Sequence, residues 1–397
     1  KSPILTEVKK SDKVTVLEDE DDWMKVATAD GYVGYIKTKS LKNQKKEKTS
    51  RDFTEPVYSD MTEDHSINMA WHNVTNAAAN NAVQQVLAST SGLTTIAPTW
   101  FSLADTEGNI SSIADADYVN YAHTAGLEVW AVFRDFHGGT NSYDETYETL
   151  RYTSKRAKLE DQVVAAAVAA GVDGINLDFE LISSKCGVHY VQLVRELSVK
   201  CHQNNLVFSV DNYVPQSYNS HYDLKEQGIV ADYVVIMAYD EHTEGSYEAG
   251  SVASISYLQD GIEKTLKKVS ADKVIAGIPF FTRLWFETAK SPEQLSEEAG
   301  TEAASYPNKV SSKALGMEEA AQSVVNAGAT AQWDEKTQQN YAKWSADGGT
   351  YRIWLEDAQS LEAKLKVIQG NKLAGVAEWS LGREESSVWK LISQYVN

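Results

Sequence analysis

A row of polar residues on an otherwise apolar strand constrains this chain more than any other feature. Residues 171–180 read GVDGINLDFE. From Gly174 on, Ile175, Leu177 and Phe179 alternate with Asn176, Asp178 and Glu180. Side chains on a strand point to opposite faces with period 2, so three apolar groups share one face and three polar groups the other. An apolar helical run, KRAKLEDQVVAAAVAA, precedes the stretch and closes at Gly171; a second, HYVQLVRELSVKC, follows it. A strand between helices belongs to a parallel sheet covered on both faces, where near-continuous hydrophobicity is the rule. Ionisable groups in such a sheet are costly unless paired or hydrogen-bonded. A closed barrel resolves the conflict. The polar row then points inward and ends at the C-terminal mouth, where barrel enzymes keep their active sites.

The rest of the chain supplies that barrel. From Phe53 on, strand-like and helix-like segments alternate, as in an α/β fold with a parallel sheet. The strand-like segments are 67–71, 94–100, 127–133, 174–180, 206–211, 232–240, 273–280 and 373–380, with helical runs such as NAAANNAVQQVLAS and SISYLQDGIEKTLKKV between them. Eight strands in βα alternation predict a TIM (β/α)8 barrel over 53–397. About 75 residues separate strand seven from the helical run AQSLEAKLKVIQ, too many for a structureless loop. This segment contains the helical run GMEEAAQSVVNAG and the strand-like pieces AQW, NYAKWS and TYRIWL. They predict a small α+β insertion at roughly 284–355, forming a wall beside the mouth. Residues 1–42 are different. KVTVLE, DDWMKV and DGYVGYI are short alternating strands, with a hairpin signal at Asp30-Gly31 and a closing Leu41. This pattern resembles a bacterial SH3-like domain with its opening strand short or missing, a type that docks cell-wall peptides or serves as a spacer. The polar, basic stretch 43–52 reads as a linker.

Composition excludes several classes. The 397 residues carry a formal net charge of −19, which argues against a nucleic-acid partner. No apolar run approaches the ~18 residues of a membrane span. Cys186 and Cys201, on one predicted helix, stand roughly 22 Å apart along its axis, too far for a disulfide. The eight histidines form no H-x-x-x-H pair, so no metal and no cofactor is expected. The chain begins at Lys1 with neither an initiator Met nor a leader, so a processed or trimmed chain is expected. The 10 Trp and 20 Tyr suit packing and, at strand ends, stacking on sugar rings.

A carboxyl kept protonated by a neighbouring carboxylate can act as a general acid, which suits Glu180 with Asp178 one step deeper. Three other readings compete. A buried polar network that only sets register is one. A calcium loop starting at Asn176 fails, because its sixth and twelfth positions hold Leu181 and Gly187. A magnesium site would draw on Asp211 and Asp240 at neighbouring strand ends.

Further motifs favour the first reading. DGINLDFE resembles the D-G-x-D-x-D-x-E signature of glycoside hydrolase family 18, the chitinase-like family. Asp173, Asp178 and Glu180 match, and Asn176 replaces an inner Asp. Met237-Ala238-Tyr239-Asp240 matches the M-x-Y-D element ending strand six, and Trp379 matches the Trp ending strand eight. The inner Asn, GIPFFTRLW, YRIWLEDAQSLEAKL and GVAEWSLGRE look most like bacterial spore-cortex and cell-wall N-acetylglucosaminidases. The resemblance implies Glu180 as acid, Asp178 orienting the substrate's acetamide, Tyr239 hydrogen-bonding it and Trp379 stacking on the sugar. It also implies substrate contacts around Asp173, Asn176, Met237 and Asp240. Trp71, Trp100, Asp135, His137, Asn212 and Tyr213 end strands and are candidates for lining subsites, with packing as the alternative; Arg283 follows strand seven and is a candidate substrate contact. The expected partner is peptidoglycan or a chitin-like glycan containing N-acetylglucosamine, met by a monomer that is secreted or associated with cell wall or spore. The alternatives are a chito-oligosaccharide hydrolase and a catalytically silent carbohydrate-binding protein. In a third, the first domain carries the function.

Overall fold

Eight parallel strands close into a barrel. The computed structural model describes residues 2–48, 50 and 59–396. It divides into two units, Lys1–Val57 and Tyr58–Asn397. In the larger unit the barrel strands are β1 (Ile67–His72), β2 (Thr95–Pro98), β3 (Glu128–Arg134), β4 (Gly174–Asp178), β5 (Val207–Tyr213), β6 (Tyr233–Met237), β7 (Val274–Pro279) and β8 (Gly375–Trp379). Each pairs in parallel with the next, and β8 pairs with β1.

Alternation assigns the faces. Ile175, Leu177 and Phe179 point outward and pack with Val163, Ala167, Leu193 and Leu197. Those four residues come from the helices Thr153–Ala170 and Gly187–Gln203. The first helix stops at Gly171, whose φ of 79° is left-handed and whose amide reaches back to the carbonyls of Ala167 and Val168. Glycine adopts that conformation without the Cβ clash other residues suffer. The barrel interior changes character along its axis. Its N-terminal end is filled by apolar groups, with Trp130 stacked on Tyr233 at 5.4 Å. Polar groups from β3, β4 and β5 fill the C-terminal end.

Some connections depart from the sequence-based expectation. The run 76–89 is a 3-10 segment, Ala77–Ala82, followed by a short helix, Val83–Leu87. Buried Asn80 diverts it by donating to the Ile113 carbonyl and accepting from the Trp100 indole. A small hairpin, Phe101–Leu103 with Ile110–Ser112, lies between β2 and β3. The insertion begins at Phe281, three residues earlier than expected, as a five-stranded sheet. Its order is Asn308–Gly316, Phe281–Ala289, Gly349–Leu355, Gln339–Ala346 and Gln332–Asp334. The helix Met317–Asn326 covers it through Ala320 and Val324.

The smaller unit is a three-stranded antiparallel sheet of Val14–Glu20, Trp23–Thr28 and Val33–Lys37, with Met24 and Val26 buried. Gly31, at φ 84°, makes its second turn. Among the described residues, none before Val14 forms a strand. The expected boundary at residue 53 and part of the 43–52 linker lie outside the described residues. Both cysteines are buried and free. Among the described residues, no helix is long and apolar enough to cross a membrane.

Candidate active site

β4 carries the centre. Its first residue is Gly174, where a Cβ would lie 2.8 Å from both the Trp130 ring and the Val207 carbonyl. Only glycine lets β3 and β5 close against β4 at this level. Asn176 follows, fully buried, and its amide is saturated. Its Nδ2 donates to Asp211 Oδ1 (2.7 Å) and Ser209 Oγ (2.9 Å), and its Oδ1 accepts from Trp71 Nε1 (3.0 Å). An indole nitrogen only donates, so this bond fixes the amide's orientation.

Asp178 is next on the inward face, beside Arg134 of β3. It is buried, and its Oδ1 has no hydrogen-bond partner among the described residues. Burial raises its carboxyl well above the usual range; the charges of Glu180, Asp211 and Asp135 add to this, and Arg134 opposes it. The Arg134 Nε is likewise buried without a partner.

Glu180 lies two residues past the strand, and its backbone is held on both sides. Its N–H donates to Asp135 Oδ1 (2.9 Å), and Leu181 N–H donates to Asp135 Oδ2 (3.0 Å). Thr146 anchors Asp135 from the far side at 3.1 Å. Tyr222 donates to the carbonyls of Phe179 (3.2 Å) and Glu180 (3.1 Å). The Tyr213 hydroxyl donates to the Glu180 carboxylate. Burial raises the Glu180 carboxyl, the Tyr213 bond opposes this, and the charge of Asp240 adds to it. Burial likewise pushes Asp135 up to about 7 and Asp211 up to about 8. The site therefore concentrates carboxyls whose affinity for protons is raised by burial, the direction acid catalysis requires.

Aromatic rings line the same mouth. Trp71 lies 5.9 Å from Trp379 and 6.4 Å from Tyr239, and Tyr239 stands edge-on to Phe281 at 6.3 Å. The Tyr239 hydroxyl stays neutral, raised by burial. Asp240 follows in a left-handed conformation (φ 57°). Burial raises its carboxyl and Arg283 opposes this; Arg283 itself donates to Ser312 at 2.9 Å. Met237 faces the barrel interior, packed in the inner cluster.

Three expected substrate contacts lie elsewhere. Asp173 precedes β4 at the opposite, N-terminal end, where it accepts from Val129 N and His123 Nε2, each at 2.8 Å. Asn212 faces outward, because its neighbours Asp211 and Tyr213 take the inward positions; its amide pairs with that of Gln227. Trp100 is 2% exposed in the outer core, edge-on to Tyr118, because the chain turns away after Pro98. His137 is exposed at the mouth side of β3. The holding of Glu180 by Asp135 and Tyr213 escaped the sequence, as did the Asn176–Asp211 bond. Period-2 counting along VFSVDNY, which places Ser209, Asp211 and Tyr213 on one face, was the available signal. Among the described residues, no group of three or more His, Cys, Asp or Glu is arranged to hold a metal ion.

With this geometry in hand, similarity to known proteins is informative. Residues 80–384 match the family model of glycosyl hydrolases family 18, and residues 1–42 match that of the bacterial SH3 domain. The uncharacterized glycosylase YvbX of Bacillus subtilis (strain 168) is 26% identical over 295 residues, 72% of this chain and 80% of that protein. The cortical fragment-lytic enzyme of the same organism is 27% identical over 256 residues, 62% of this chain and 54% of that protein, so the match spans about half of the relative's length. The C-terminal domain of a chitinase-like protein from Desulfitobacterium hafniense DCB-2 superposes with a TM-score of 0.72 at 19% identity, covering 84% of this chain and 100% of that domain.

Proposed function

The chain belongs to the glycosyl hydrolases of family 18, and on that premise we propose that it is a retaining hydrolase of β-linked N-acetylglucosamine in peptidoglycan or spore cortex. In this reading the substrate's own acetamido oxygen is the nucleophile. Glu180 gives its proton to the glycosidic oxygen as the acetamido oxygen attacks the anomeric carbon and the bond to the leaving sugar breaks. Asp178 accepts the acetamide N–H and balances the positive charge of the oxazolinium ring. Tyr239 donates to the acetamide oxygen, and Trp379 floors the sugar. Glu180, now a carboxylate, takes a proton from the water that opens the ring, and the β-anomer leaves.

One observation carries the reading. Glu180 is fixed by Asp135, Tyr222 and Tyr213 directly above a buried Asp178 with an unpartnered oxygen. That is a proton donor held rigid beside a charge acceptor left free for a ligand. A cell-wall or cortex substrate is supported by the similarity to the cortical fragment-lytic enzyme of Bacillus subtilis and by the SH3-like first unit. Location outside the cell, at wall or spore, follows from such a substrate. Chitin oligosaccharides are the rival substrate, favoured by the chitinase-like structural neighbour. The test is mass spectrometry of products from purified peptidoglycan, cortex fragments and chitin oligomers. Release of glycan cut after N-acetylglucosamine from wall or cortex supports the proposal. Cleavage of chitin oligomers alone assigns the rival, and no cleavage of any of them removes the activity.

A further inference from the structure

Asp178 needs a proton partner, and the residue beneath it cannot be one. Asn176 is an amide, and both its Nδ2 hydrogens are spent on Ser209 and Asp211. β4 and β5 run in parallel register with Ser209 opposite Asn176 and Val210 opposite Leu177, so Asp211 falls opposite Asp178 on the same inward face. Neighbouring strands lie about 4.8 Å apart. Each carboxyl has one oxygen buried without a partner: Oδ1 of Asp178 and Oδ2 of Asp211. Two buried anions this close cannot both persist, whereas a single proton satisfies both orphaned oxygens.

Charge counting agrees. Arg134 and Asp135 face the pair from the end of β3, Glu180 from β4, Tyr213 from β5, and Tyr239 and Asp240 from β6. Arg134 is the cation that opposes the raised carboxyl of Asp178. One shared proton leaves the pair at −1 opposite Arg134 at +1, whereas two ionised carboxyls would place −2 there. Resting on the catalytic reading above, we propose that Asp211 is the positioning residue that shares a proton with Asp178, and that Asn176 serves to aim it. When the acetamide N–H reaches Asp178, the Asp178 O–H bond breaks as an O–H bond to Asp211 Oδ2 forms. The negative charge thus moves onto Asp178, opposite the developing oxazolinium ring, while the pair keeps one proton and a charge of −1 throughout.

Two variants test this in the full chain, on a soluble N-acetylglucosamine substrate. Asp211→Asn is expected to lower kcat by about tenfold or more, the consequence of mis-setting the pair by a pKa unit. KM should stay near its wild-type value, because Asp211 is buried beneath the surface of the mouth. The acid limb of the kcat/KM profile should move to higher pH, because Asp178 must then ionise without a shared proton. The second variant, Asn176→Asp with Asp211→Asn, returns a carboxyl to the neighbourhood of Asp178 from below and is expected to recover both kcat and the acid limb. It also keeps the test decisive if Asp211→Asn does not fold. Unchanged kcat and acid limb in Asp211→Asn overturn the proposal, as does a folded double variant that stays slow with a displaced limb. Glu180→Gln in the same assay separates the two levels. If it is inactive while Asp211→Asn is normal, the catalytic reading stands and the partnership fails; if it is fully active, the catalytic reading itself fails.

Discussion

The two ends of the barrel use the same side chains in opposite ways. At the N-terminal end, two carboxylates are tied to backbone amides and histidines. Asp232 accepts from Met61 N (2.7 Å), Phe208 N (2.7 Å) and His202 Nε2 (2.9 Å). Asp173 accepts from Val129 N and His123. At the C-terminal end, Asp178 and Asp211 each keep an oxygen buried and unpaired, and Arg134 keeps an unpaired Nε. A partnered carboxylate ties elements together, whereas a buried oxygen without a partner costs stability. The motif DGINLDFE therefore spans both ends, with Asp173 serving the fold and Asp178 and Glu180 facing the mouth.

Breaking the mouth should show in rate. Glu180→Gln is expected to reduce kcat by about 10²–10⁴-fold, the usual worth of general acid catalysis. Its unfolding transition and sugar affinity should stay near wild type. Asp178→Asn should also slow turnover, with a smaller effect on KM. A Glu180→Gln enzyme with near wild-type kcat would remove the acid role.

Breaking the base should show in stability instead. Asp232→Ala strands the buried amide of Phe208, the half-buried amide of Met61 and the His202 ring, and a buried donor left unsatisfied costs about 1–3 kcal/mol. A loss of about 3 kcal/mol in denaturant unfolding is expected, with kcat unchanged under native conditions. A variant that loses kcat but not stability would contradict the division of labour.

A smaller effect comes from Glu378 on β8. Both its oxygens are buried without partners. Burial, joined by the charge of Glu384, raises its carboxyl well above the usual range. The folded state holds this proton more tightly than the unfolded chain does. Its contribution is therefore complete below the ordinary carboxylate range and is lost as pH rises through the folded value. Denaturant midpoints measured against pH should decline in the wild type as pH rises above the ordinary carboxylate range, and Glu378→Gln should flatten that decline. Parallel curves for the two proteins would exclude Glu378 as the source.

The smallest effect is expected from removing residues 1–52. Hydrolysis of small soluble fragments should be unchanged, because every proposed catalytic residue lies in the barrel. Action on intact wall should fall if the first unit concentrates the enzyme on its polymer. Lost activity on small fragments by a folded barrel would place part of the site in the first unit.

The eight strands were legible because each carries an apolar run bounded by helical periodicity, and the inward polar row of β4 marked the site by its cost. The strand Asn308–Gly316 was hidden. Its sequence, NKVSSKALG, is mostly polar, and it forms by pairing along its whole length with Phe281–Ala289. Trp100 looked like a mouth residue because its acceptor, Asn80, is distant in sequence. Asn212 and Asp173 needed only strand bookkeeping. Asn212 is one residue out of phase with Asp211, and Asp173 precedes the first residue of β4. The bonds from Asp135 to the backbone after β4 could not be read at all, because they join two strand ends 45 residues apart.

The central claim is that the protein supplies an acid and a charge acceptor but no nucleophile. Intact-protein mass spectrometry after incubation with a fluoro-sugar that traps glycosyl-enzyme intermediates tests it directly. The account predicts an unlabelled chain, competitively inhibited by a thiazoline mimic of the oxazolinium ion. A covalent sugar on any Asp or Glu would contradict it, because the nucleophile would then be the protein's own.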